Sequence, residues 1–65
     1  MERVLICDYN SILGIATVQV SEWSEFDNEI LEYVTDFCES TPEVENMIDK
    51  YYEKYNCDFY YLNID

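Results

Sequence analysis

Between Arg3 and Lys50 the chain has no basic residue, while eleven carboxylates fall in the same stretch. Elements built wholly there cannot form opposite-charge pairs among themselves, the pairs that ordinarily lace helix and sheet surfaces. The interior must come from apolar side chains alone. These are plentiful: 49% of the 65 residues are hydrophobic and 17% aromatic. Disordered acidic tails lack such residues, so the chain is expected to fold as one domain, residues 1–65, with a strongly negative surface. Three Lys+Arg against fifteen Asp+Glu give a net charge of -12. Direct binding to DNA, RNA or an anionic membrane is excluded on that count, because phosphate binding needs Lys and Arg to displace counterions.

The apolar pattern gives the expected elements. Residues 3–9 form a nearly continuous apolar run, the mark of a central strand. Residues 12–20 are rich in β-branched side chains, and Asn10-Ser11 between the runs suggests a two-residue hairpin. Ser24, with Asp27 three residues on, resembles a capping box. Phe26, Ile30, Val34 and Phe37 then recur at helical spacing, which predicts a helix ending near Glu39. Thr41 as cap and Pro42 at the first helical position open a second helix. Its stripe is Val44, Ile48, Tyr51 and Tyr55, and Asn56 ends it. Residues 58–64 read as an aromatic strand. The expected fold is α+β in the order β-β-α-α-β, a small three-stranded, mainly antiparallel sheet with two helices on one face.

On the first expected helix, Glu25, Glu29, Glu32, Asp36 and Glu39 are spaced 4, 3, 4 and 3. They fall within an arc of about 80° and form a ladder about 21 Å long. Like charges at this spacing destabilise a helix by roughly 0.2 to 0.5 kcal/mol per pair. Such an uncompensated conflict points to a functional surface. Glu45, Asp49 and Glu53 make a shorter row on the second helix and extend the surface if the helices lie side by side. Trp23 is either a hydrophobic staple beside Ser24 or an exposed anchor. Tyr52 flanks the acidic row, and aromatics of this kind serve as interface anchors.

The ladder, the charge and the size together resemble the DNA-mimic inhibitors of phages and mobile elements: anti-CRISPR, anti-restriction and uracil-DNA glycosylase inhibitor proteins. The resemblance is to a class of many unrelated folds and rests on no family motif. It implies competitive occlusion of a basic nucleic-acid-binding cleft, in a CRISPR effector, restriction enzyme, glycosylase or polymerase, by a monomer or homodimer. The other reading is an interaction module that is not a mimic, such as an antitoxin, an immunity-type protein or a transcription modulator.

Catalysis is not expected. There is no His for general base chemistry and no Gly-rich phosphate loop. Cys7, Cys38 and Cys57 lie in apolar stretches without a nearby cation to activate them. No cofactor or metal is expected either, since Asp8-Tyr9-Asn10 is too short a fragment of a calcium loop. The odd cysteine count, the absence of a long apolar stretch and the early Asp8 lead to the expectation of reduced thiols, no secretory leader and a cytoplasmic location.

Overall fold

The computed structural model describes every residue from Met1 to Asp65. The fold is α+β, with four strands and one helix: β1 (Glu2–Asn10), β2 (Ile15–Trp23), β3 (Asn28–Phe37), α1 (Thr41–Lys54) and β4 (Phe59–Ile64). The sheet is mixed, in the order β3-β2-β1-β4. β2 is antiparallel to both β1 and β3, and β4 joins β1 in parallel. The apolar first strand is internal, as its composition requires.

The expected helix over residues 24–39 does not form. Ser24 and Asp27 close a tight hairpin instead. The Asp27 amide donates to Ser24 Oγ at 2.9 Å, and the Ser24 amide donates to the Asp27 carbonyl at 2.8 Å. A hydroxyl three residues before an acid serves an ST turn as readily as a helix cap. The first hairpin also differs from its expected form. Asn10 Oδ1 accepts from the amides of Ile12 and Leu13, and the chain turns over four residues before β2 begins at Ile15. Gly14, at φ +68°, supplies the left-handed residue that ends this turn.

Helix α1 forms where the spacing predicts it. Ser40, rather than Thr41, occupies the cap, and Glu43 in the first turn accepts from the Glu39 amide at 2.7 Å. At the other end Asn56, at φ 50°, takes the left-handed position. The Cys57 amide reaches the Tyr52 carbonyl at 3.0 Å and the Asn56 amide reaches Glu53 at 3.2 Å, which is a Schellman closure. This turns the chain directly into β4.

The helix lies over one face of β1 and β2. Leu5, Cys7 and Tyr9 of β1 and Ala16, Val18 and Val20 of β2 meet Val44 and Ile48 of α1, closed at the ends by Cys38 and Cys57. The Tyr9 hydroxyl donates to the buried Cys38 carbonyl at 3.0 Å. No helix is long and apolar enough to cross a membrane.

Candidate functional site

The register of β3 decides where the acids go. Val20 stands opposite Glu32, but Ser21 stands opposite Ile30, so Leu31 is the extra residue of a β-bulge. The bulge changes the parity of the strand. Glu29, Glu32 and Asp36 consequently share the face that carries the helix, although the spacing of 3 would put Glu29 on the opposite face from the other two in a regular strand. Glu25 sits in the β2–β3 turn and Glu39 beyond the end of β3. The five-acid ladder is therefore not a helical row. Three of its members line one side of an edge strand, and two bracket it.

Glu45, Asp49 and Glu53 of α1 do not join them, whereas Glu43 in its first turn meets the Glu39 amide. Tyr55 donates its hydroxyl to Glu32 of β3, whereas Tyr52 meets Tyr60 of β4 edge to face at 5.9 Å. These contacts fix the two flanks of the helix. At about 100° per residue, Glu45 and Asp49 fall on the Tyr52 side and Glu53 points outward. Lys50 and Lys54 fall on the Tyr55 side, between the two acidic rows. With a single helix, the expected side-by-side extension does not exist.

The carboxylates are left almost unneutralised. The only ion pair is Arg3 with Glu22, at 2.8 Å. Arg3 also donates to the Tyr55 carbonyl at 2.7 Å, so its cation is spent within the fold. Lys50 and Lys54 lie over the Tyr51 and Tyr55 rings, 5.2 to 5.9 Å from the centroids.

The aromatics divide between two tasks. Tyr52 is half-buried, and its hydroxyl donates to the Asp58 carbonyl at 3.0 Å, so it fastens α1 to the start of β4. Trp23 ends β2 on the sheet face opposite the helix and is 46% exposed. That face contains most of what the sequence assigned to a helix core. Tyr33 opposes Gln19, which opposes Ile6, which opposes Tyr61, in one row across all four strands. The next row runs Ile30, Ser21, Val4 and Phe59. Phe37 lies beyond, beside Ile15. Phe26 stands 91% exposed at the hairpin tip. Of the expected stripe only Val34 reaches the helix-side core. The sequence signal for this face was the apolar-on-both-parities pattern of residues 30–37 and 59–62, which is also what a helix produces.

The three thiols are buried and free. Burial pushes Cys7 up to about 11, with Asp8 and then Cys38 adding to the shift. Cys38 is raised by burial, then by Glu43 and Asp36, and Cys57 is raised mainly by burial. At Cys57 the Arg3 cation opposes the shift only in part, so all three thiols stay above their ordinary value. No group of three acidic, thiol or imidazole side chains converges as metal ligands do. The chain matches no family model, no curated protein and no solved structure.

Proposed function

We propose that this chain is a non-catalytic acidic inhibitor that occupies the basic nucleic-acid-binding cleft of another protein. The observation that carries the reading is the state of the carboxylates: fifteen acids with one internal ion pair. Charge left unpaired at the surface raises the encounter rate with a basic partner and favours it over neutral competitors. The contact surface is the β3 flank, with Glu29, Glu32 and Asp36 at its centre and Glu25 and Glu39 at its ends. A phage anti-defence protein of the anti-CRISPR type would act in this way, by competition and without chemistry.

The acid-poor aromatic face favours a second reading, an interaction module whose contact is apolar. The two separate cleanly. An acid-led contact weakens steeply as salt rises, and nucleic acid competes with it. An apolar contact does neither.

The test is a capture from nuclease-treated bacterial lysate, using the wild-type chain beside a variant with Glu25, Glu29, Glu32 and Glu39 changed to Gln and Asp36 to Asn. A nucleic-acid-binding protein held by wild type alone, released by salt and displaced by its own nucleic acid supports the proposal. A partner held equally by both baits sinks it.

A further inference from the structure

The helix covers one face of the sheet, and no element covers the other, although Val4 and Ser21 at its middle are buried among their neighbours, 1% and 4% exposed. On that bare face Trp23, Tyr33, Phe37, Phe59 and Tyr61 are 46%, 64%, 77%, 37% and 57% exposed, and Ile30 is 61% exposed. At roughly 150 to 250 Å² per ring, the five rings alone offer on the order of 400 to 700 Å² of accessible surface. The largest apolar patch on an ordinary monomer is about 300 to 600 Å². A standard interface takes about 800 Å² from each partner. With Ile6, Ile15 and Ile30 added, the bare face is of the size that a specific dimer requires.

The charge distribution selects the occupant. Glu2 and Asp8 are the only carboxylates whose strand positions share this face, and Asp8 already accepts from Asn63 at 3.0 Å. Glu22, Glu29, Glu32 and Asp36 all stand on the helix side. A basic partner would gain little by docking where the carboxylates are not. A second copy presents the same acid-poor aromatic face and keeps Glu22, Glu29, Glu32 and Asp36 on the far side.

We propose that two copies of this chain stack bare face to bare face through Ile30 and Phe59, which flank the buried Ser21 and Val4, and through the row Tyr33–Gln19–Ile6–Tyr61. Two twisted sheets packed in this way lie about 10 Å apart with their strands crossing at about 30°. The contact is isologous, so Tyr33 and Tyr61 at the two edges of one row can face their counterparts across the twofold axis. Both acidic helix layers then point outward, and the dimer carries two copies of the flank assigned above to target binding. Edge pairing through β3 is a poorer route. Antiparallel β3 strands of two copies would bring Glu29, Glu32 and Asp36 of one against the same three of the other.

The dimer brings two chains of charge -12 together. Its affinity must therefore rise with salt, opposite in sign to the salt dependence of target binding. Sedimentation velocity of the full chain, as a dilution series in about 0.1 M and about 1 M salt, tests this, since that change shortens the screening length from roughly 10 to 3 Å. The expected result is a species of twice 7.8 kDa that persists to greater dilution at high salt. A Tyr33→Asp/Tyr61→Asp variant, altered only at exposed positions, should sediment as a monomer with an unchanged circular dichroism spectrum. If that variant lost its fold, Tyr33→Ser/Tyr61→Ser gives the same readout without added charge. A wild-type monomer throughout both series overturns the proposal. So does a dimer that survives both double variants, or an open-ended series of larger species, since each assigns association to a strand edge.

Discussion

Cys7 lies on the internal strand with none of its surface exposed, and its neighbours add negative charge rather than relief. Its proton is held up to about 11, against 9.0 for an ordinary thiol. Between those values the unfolded chain has lost a proton that the folded chain keeps. Stability is therefore full below about pH 9 and falls as pH rises toward 11, by on the order of 2 kcal/mol from this residue. Cys38 and Cys57 are shifted the same way and add to the slope. Denaturant midpoints measured from pH 7.5 upward should fall through this window. Cys7→Ala should flatten the fall while lowering stability at neutral pH. Alkylation at neutral pH should proceed only at the rate of unfolding, because each thiol is both buried and protonated. Tyr55 makes a related case on the outside of the core. Its hydrogen bond to Glu32 is the chief cause of a raised phenol, followed by burial and the Glu32 charge. Ultraviolet titration should show the Tyr55 phenol ionising above the usual tyrosine value. Glu32→Gln, which removes the charge, should bring it back down.

At the scale of elements, α1, β1 and β4 were legible and residues 24–39 were not. Helix α1 carries three agreeing signals: Pro42 in its first turn, the stripe from Val44 to Tyr55, and Asn56 at its end. In β3 two features conspired. The bulge at Leu31 breaks the period-two alternation, so Leu31 and Val34 both reach the core at a spacing of three, as on a helix. The bare face then puts Ile30, Tyr33 and Phe37 on the opposite parity, where a solvated strand would be polar. Apolar residues on both parities, with one irregular step, mimic a helical stripe in a chain read without its partner strands. The acids followed the same error, since their ladder depended on the helix, although the bulge reunites three of them. Phe26 distinguishes the two folds. Packed under a helix, Phe26→Ala would cost about 3 to 5 kcal/mol. At a hairpin tip, 91% exposed, it should change stability by no more than about 0.5 kcal/mol. Leu5→Ala, at a fully buried position of β1, should by contrast cost about 2 to 5 kcal/mol. Urea unfolding of the two variants beside wild type reads both values.

The whole molecule combines a core packed mainly between the helix and one sheet face with a charge that opposes compaction. Twelve residues are buried, and eleven of them are hydrophobic, so the interior has no polar network to spare. Fifteen carboxylates repel one another over a body measuring 38 × 18 × 15 Å. The two shorter dimensions lie within two screening lengths of about 10 Å at about 0.1 M salt, so the repulsion acts across the width of the molecule. Raising salt to about 1 M should therefore stabilise the fold by about 1 to 2 kcal/mol, or several degrees in a domain of this size. Self-association through the bare face would also stabilise, by mass action, and would also strengthen with salt. Protein concentration separates the two. The part of the melting shift that grows with concentration belongs to the dimer, and the part that does not belongs to charge repulsion within one chain. The variant with five acids neutralised should melt higher than wild type at low salt and respond less to added salt, at a concentration where both are monomeric. A wild-type melting temperature independent of salt at that concentration would mean that counterions already neutralise the surface. The acids would then have little free energy to release on meeting a basic cleft.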